Sequence, residues 1–241
     1  MKIGIISDIH GNYDALSTVL DVLKKENVDL IVNAGDNVGY SPFPDECVRM
    51  LKDASVEGVR GNYDEAVGYD RESCGCGDCC ETVEQIRRAS LKWTQGQVSE
   101  ETREYLRALP HYRMIGTGNG KILIMHGGLD KINELISPDD EDKLMEISIR
   151  TDARLIVLGH THQAFSRTVN GTMFVNPGSV GKPVDGDPRA SYAVANMGNG
   201  VNVRLSRTVY PVEHNIRALE EAGLPRAIGD MLRKGRSDSL A

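Results

Sequence analysis

Seven side chains able to bind a metal ion fall at five places in this 241-residue chain, mostly beside glycine. They occur in Asp8-Ile9-His10, Gly35-Asp36, Gly61-Asn62-Tyr63-Asp64, His126-Gly127 and Gly159-His160-Thr161-His162. Singly, each has a plain explanation: a strand-end Asp caps a turn, and a lone histidine is usually a satisfied surface or core residue. The series Asp, His, Asp, Asn, His, His, His points instead to a metal centre. Carboxylate, imidazole and amide oxygen together suit Mn, Fe, Zn, Co or Ni better than Ca, and no cysteine belongs to the set. Each imidazole also needs an acceptor for its second ring nitrogen, which the sequence does not identify.

Side chains so far apart in sequence converge only if the elements before them end together. Residues 3–7 and 30–34 are short apolar runs ending at Asp8 and at Gly35-Asp36, and 56–59 leads into Gly61-Asn62. Asn12 is placed to cap a helix in which Leu16, Val19, Leu20 and Leu23 recur at helical spacing. Pro44 opens a second helix, with Cys47, Val48 and Leu51 on its inner face. This β-α-β-α-β order puts polar residues at the carboxyl ends of strands, where open α/β sheets bind ligands. Further strands are expected at 121–125, 155–158, 172–175, 191–195 and 201–205, with Gly198-Asn199-Gly200 as a hairpin turn. Ser137-Pro138-Asp139-Asp140 starts another helix with an acidic first turn. Residues 65–110 hold two helical stretches, 82–93 and 99–109, read as an insertion beside the crevice because about 45 residues make a poor core alone. A helical tail from 213 to 232 completes what is read as one domain over 1–241.

With 28 Lys+Arg against 35 Asp+Glu the formal net charge is −7, and 40% hydrophobic with 26% charged residues is ordinary globular composition. The acidic balance disfavours stable nucleic-acid binding, since a phosphate backbone rewards a positive face. It leaves room for a small phosphorylated or nucleotide substrate whose charge a metal ion can meet. No apolar run approaches the roughly 20 residues of a membrane span, and Ser7 and Asp8 cut the apolar start of the chain. No membrane anchor or secretory signal is therefore expected, and the expected location is cytoplasmic, where thiols stay reduced. Homo-oligomerisation is left open.

In series, D-x-H, G-D, G-N-x-D, H-G and G-H-T-H resemble the calcineurin-like metallophosphoesterase superfamily over residues 1–210. The likeness is to its small stand-alone bacterial and archaeal branch, which also carries stretches like GDNVGYSP and NPGSVGKPVDGDPRASYAV. The resemblance implies an α/β four-layer αββα sandwich, two mixed β sheets packed face to face with helices outside and the active site at their shared edge. Carried over position by position, it puts Asp8, His10, Asp36 and His162 on one metal ion. Asp36, Asn62, His126 and His160 hold a second, with Asp36 bridging. Two divalent transition metal ions are implied, manganese first, with Fe, Zn, Ni or Co as alternatives. They would acidify a shared water and clamp phosphoryl oxygens in a phosphoester hydrolase that needs no protein nucleophile.

The third motif of that family is commonly G-N-H-D or G-N-H-E, whose histidine acts as general acid for the leaving group. Here Tyr63 stands in its place, making Asp36, Asn62, Tyr63 and Asp64 the expected catalytic set. A phenol, with a reference pKa of about 10 against about 6.5 for histidine, is the poorer proton donor near neutrality. The expectation is a preference for phosphodiesters or nucleotide-like substrates, as in branches that lack the histidine. Alternatively Tyr63 only packs on the rim and another acid substitutes. The competing functions are a phosphomonoesterase or phosphoprotein phosphatase, or a binding scaffold that has lost its chemistry; a scaffold would be expected to show eroded ligands.

Asn12, Asn37 and Arg189 are candidate substrate contacts, with Tyr40 comparable to them. Arg189 follows the glycine-containing stretch Asn176-Pro177-Gly178-Ser179-Val180-Gly181, whose backbone could approach a phosphate that Arg189 pairs with. Turn and capping roles are the plain alternative. Cys74, Cys76, Cys79 and Cys80 lie close together, and two readings stay open for them: a structural zinc site, awkward for adjacent Cys79 and Cys80, or a reduced or reversibly oxidised loop.

Overall fold

The computed structural model describes residues 1–76 and 80–236, so Cys79 lies outside the described residues. Its first half runs β1 (Lys2–Ile6), α1 (Tyr13–Lys25), β2 (Leu30–Asn33), α2 (Pro44–Asp53), β3 (Glu57–Gly58), α3 (Asn62–Gly68), α4 (Glu81–Gln97) and α5 (Glu100–Ala108). The second half runs β4 (Tyr112–Thr117), β5 (Gly120–Met125), α6 (Glu141–Arg150), β6 (Ala153–Val157), β7 (Phe165–Val169), β8 (Thr172–Asn176), β9 (Ala190–Met197), β10 (Val201–Thr208), α7 (Val212–Glu221) and α8 (Arg226–Lys234).

Successive side chains of a strand point to opposite faces, so a strand apolar on both faces must be covered twice. Ile3 and Ile5 of β1 meet Ile122, Ile124, Leu155 and Val157 in an aliphatic interior between two sheets. Ile6 joins Leu16, Val19 and Leu23 of α1 on the outside of the first sheet. Leu123, Met125 and Ile156 pack outward on Leu144 and Ile147 of α6. The result is four layers, helix, sheet, sheet, helix. The first sheet has the order β10-β9-β1-β2-β3 and the second β4-β5-β6-β8-β7. Both are mixed: β1 is parallel to β2 and antiparallel to β9, while β6 is parallel to β5 and β8, and β7 antiparallel to β8.

A further cluster forms at the side. Tyr63, Val67, Ile86, Leu91 and Leu106 of α3–α5 pack with Ile216, Leu219, Ile228 and Met231 of α7 and α8, and the Trp93 indole N–H donates to Ala222 O at 2.9 Å. The expected tail is two helices, broken where Gly223 takes φ +74 and Pro225 follows. Three elements went unpredicted. β4 and β7 are edge strands with few inward apolar residues, and α3 begins on the candidate ligand Asn62 itself. None of the described helices is long and apolar enough to cross a membrane.

The β8–β9 connection passes so close to the chain after β1 that only glycine fits at 181. A Cβ there would sit 1.7 Å from Ile9 O. Gly181→Ala should therefore destabilise the protein by about 3 kcal/mol or more, the upper end of ordinary single-residue effects, read from urea unfolding midpoints.

Candidate metal centre

All five motifs reach one edge of the sandwich, and backbone hydrogen bonds tie the chain together just past the strands. Asp8 N–H donates to Gly35 O (2.9 Å), His10 N–H to Asp36 O (3.0 Å), Gly159 N–H to His126 O (2.9 Å) and Gly181 N–H to Asp8 O (3.0 Å). There the backbone leaves extended geometry abruptly. Asp8, His10, Asp36, His160 and His162 take φ of 54°, 50°, 53°, 66° and 57°. A non-glycine residue enters this left-handed region at a cost of roughly 1–2 kcal/mol. Such strain at five of the candidate ligands marks a functional constraint, because it turns their side chains inward together.

The donor atoms then meet. His162 Nε2 lies 3.1 Å from His10 Nε2 and 3.2 Å from Asp8 Oδ1. Asp36 Oδ2 lies 3.7 Å from His10 Nε2 and 3.5 Å from His126 Nε2, and Asn62 Oδ1 is 2.9 Å from His126 Nε2. Two carboxylate–imidazole groups are compact enough for an ion: Asp8, His10 and His162, and Asp8, Asp36 and His126. Asp8 thus belongs to both, which sequence spacing does not reveal, and Asp36 Oδ2 lies between the histidines of the two. His160 is in neither group; its ring meets His126 edge-on at 5.0 Å on the cavity wall, and its backbone N–H donates to Asp8 Oδ2 at 3.2 Å.

The second ring nitrogens settle what these atoms offer. Nδ1 of His10, His126 and His162 faces Val38 O (3.2 Å), Ala34 O (2.8 Å) and Lys182 O (2.6 Å) respectively. A carbonyl only accepts, so each Nδ1 carries a proton, and a neutral ring then presents a lone pair at Nε2. Burial lowers the basicity of His10 and His126, which keeps both neutral. His10 Nε2 therefore turns a lone pair toward His162 Nε2. A lone pair also faces an amide oxygen at His126, because Asn62 turns its Nδ2 to Cys74 O at 3.0 Å. Asp8 Oδ1 is buried without a hydrogen bond. Acceptors converging on acceptors at this depth call for a cation, and a divalent metal ion fits the donor set. Burial, then the neighbouring Asp64 and Asp8 carboxylates, pushes the Asp36 carboxyl well above its ordinary range, a penalty that a cation would reverse.

Four expected contacts have other duties. Asp64, expected in the catalytic set, is buried and accepts from Asn37 N (2.7 Å), Asn37 Nδ2 (2.8 Å) and Gly61 N (2.9 Å), so it clasps the Asp36 and Asn62 loops and positions the site. Asn37 is spent on Asp64 and on Asn33, whose Nδ2 donates to its Oδ1 at 2.6 Å. Asn12 caps α1 through Ala15 N and donates to Gly181 O and Tyr210 Oη. Arg189 folds back in a forked pair on Asp187, 2.6 Å from Nη2 to Oδ2. Asn12, Asn37 and Arg189 do not line the cavity above the cluster, as their polar atoms are already engaged, whereas Tyr40 does.

That cavity holds about 320 Å³ and is lined by His10, Asp36, Asn62, His160 and His162 together with Tyr40, Tyr63, Cys76, Arg87 and Lys182. Tyr63 is packed edge-on against His10, ring centroids 5.4 Å apart, with its hydroxyl buried and without a hydrogen bond. Burial drives its pKa well above the ordinary phenol value. Lys182 Nζ lies 4.6 Å over the Tyr40 ring, and burial pushes its pKa down to about 8. Sequence reasoning gave neither Lys182 nor Arg87 a site role. Lys182 directly follows the glycine-containing stretch already noted, whereas Arg87 sits on a helix face with no local signal. In the cysteine loop, Cys74 and Cys76 Sγ lie 2.7 Å apart. Thiolates sharing one tetrahedral zinc stand roughly 3.8 Å apart, so the described pair has no zinc spacing.

Residues 1–200 match the family model described as the calcineurin-like phosphoesterase superfamily domain. A metallophosphoesterase from Sphaerobacter thermophilus, known from its crystal structure, is 30% identical with a TM-score of 0.76, covering 98% of this chain and 99% of that one. An uncharacterised protein of Methanocaldococcus jannaschii is 28% identical over 97% of this chain and 98% of its own length. A phosphodiesterase of the same archaeon is 22% identical over 74% of this chain and 83% of its own length.

Proposed function

The chain belongs to the calcineurin-like phosphoesterase superfamily, and we propose that within it the protein is a dinuclear-metal hydrolase favouring phosphodiesters or nucleotide-like phosphoesters. The observation that carries this reading is the convergence of ligand atoms: His10 Nε2 on His162 Nε2 at 3.1 Å and His126 Nε2 on Asn62 Oδ1 at 2.9 Å. Asp8, His10, Asp36 and His162 would hold one ion. Asp36, Asn62 and His126, with His160 beside them, would hold the other, and Asp36 would serve both. When bound, the ions, manganese foremost, supply an acidified water and positive charge for the phosphoryl oxygens. Lys182 places a cation on the cavity wall for an anionic substrate, and a space of about 320 Å³ suits a small one.

Tyr63 supports the diester preference. Its buried hydroxyl gives up a proton even less readily than a free phenol, so leaving groups that need little protonation are favoured. Tyr63→His should raise kcat/KM for alkyl phosphomonoesters relative to diesters by about tenfold or more, and Tyr63→Phe should leave diester turnover within about twofold. Matched mono- and diester assays check both. The function itself is tested by stripping the protein of metal, reloading it with manganese and following a chromogenic phosphodiester. Turnover that appears with manganese and disappears with chelator is expected; no turnover with any of Mn, Fe, Co, Ni or Zn overturns the proposal.

A further inference from the structure

Asn62 is gripped from behind by two cysteines. Its Nδ2 donates to Cys74 O at 3.0 Å and to Cys76 Sγ at 3.3 Å, which fixes the amide with Oδ1 toward His126. The two sulfurs stand 2.7 Å apart across Gly75, whose φ of +68 folds the Cys74-Gly75-Cys76 turn back on itself. The Asn133 side chain holds that turn by donating to Gly75 O. Cys76 is half-buried and lines the cavity, whereas Cys74 is buried behind it. A small solute entering the active-site cavity therefore meets Cys76 first, with a second sulfur already at its back.

We propose that Cys74 and Cys76 are a reversibly oxidised dithiol that controls how Asn62 is held, and so how tightly the His126 end of the centre binds its metal. This rests on the assignment of Asn62 as a ligand in the function proposed above. The oxidant is a hydroperoxide. Cys76 sulfur attacks one peroxide oxygen, the O–O bond breaks, and the thiol proton leaves with the displaced oxygen as water or alcohol, giving a sulfenic acid. Cys74 sulfur then attacks Cys76 sulfur, the S–O bond breaks, and the hydroxide takes the Cys74 proton to leave as water. Two electrons pass from the sulfur pair to the peroxide, and a dithiol reductant returns them. Forming the bond draws the sulfurs from 2.7 Å to about 2.05 Å and converts the thiol that accepts from Asn62 into a disulfide sulfur.

The experiment uses full-length, manganese-loaded protein carrying Cys79→Ser and Cys80→Ser, so that only the pair in question can react within the loop. Hydrogen peroxide should give a Cys74–Cys76 crosslink, read by fragment mass spectrometry as a loss of about 2 Da confined to that turn. Manganese titration should then show the affinity of one of the two ions reduced about 10–100-fold, the range for lost outer supports of a ligand, and restored by dithiothreitol. Adding Cys74→Ser, which leaves Cys74 O and Cys76 Sγ to accept from Asn62, should keep manganese affinity before peroxide and abolish the crosslink. A crosslink that never forms overturns the inference. So does a crosslink with unchanged affinity, or an equal dithiothreitol-reversible loss of affinity in the Cys74→Ser protein. Neither readout requires turnover, so a protein that binds two ions and hydrolyses nothing would sink the proposed function and leave this inference standing.

Discussion

Asp36→Asn is expected to lower kcat/KM for phosphodiester hydrolysis by at least about 1,000-fold, while the metal-free variant melts higher than the metal-free parent. The two effects share one cause. Asp36 is buried, its Oδ2 lies 3.7 Å and 3.5 Å from the Nε2 lone pairs of His10 and His126, and its charge is opposed by burial and by Asp64 and Asp8. An amide of the same shape removes that charge, offers N–H donors to the two lone pairs, and keeps an oxygen for the Tyr63 N–H that Oδ1 now accepts at 2.8 Å. Without metal this relieves the site by about 1–2 kcal/mol, or roughly 2–8 °C for a chain of this length. With metal it removes the anionic donor that the two proposed ions would share. Melting curves with and without chelator, beside diester kinetics, check the pair of effects. A metal-free Asp36→Asn protein less stable than the parent would contradict this account of the site.

Loading metal is the larger stability effect. The metal-free edge combines five left-handed residues with converging acceptors and an orphaned Asp8 Oδ1, all of which an ion repays at once. At free metal a hundred times Kd, each ion stabilises by about 2.7 kcal/mol, so two ions raise the melting temperature by roughly 10–20 °C. Manganese should do this and calcium should not, because imidazole nitrogens dominate the donor set. Equal melting temperatures in chelator and in excess manganese would deny the centre its ions.

Much of this was legible in the sequence, for identifiable reasons. β1, β2, β5 and β6 are short, apolar and end at motif residues, so both their existence and the edge they share followed from pattern alone. The convergence of Asp8, Asp36, His126 and His162 followed from their places after those strands, and that of Asn62 from its place after 56–59. β4 and β7 escaped because an edge strand with one hydrogen-bonded neighbour needs no strong apolar run. Asn12 caps α1 as expected, but the other hydrogen-bond partners of Asn12, Asn37, Asp64 and Arg189 escaped because polar residues near a site hold loops together as often as they touch ligands. Only the partners tell the two apart: Gly181 for Asn12, Asp64 for Asn37, Gly61 for Asp64 and Asp187 for Arg189. Arg87 reaches the cavity from a helix face distant in sequence from the metal-ligand motifs and with no local signal, and Lys182 reaches it from the loop that follows the glycine-containing stretch.

The most direct test of the central claim is a crystal structure of manganese-loaded protein with anomalous scattering recorded at the manganese edge. The account predicts two peaks roughly 3.5–4 Å apart, with Asp36 touching both, His10 and His162 on one, and His126 and Asn62 on the other. A single peak, or manganese bound away from Asp36 and His126, would contradict it.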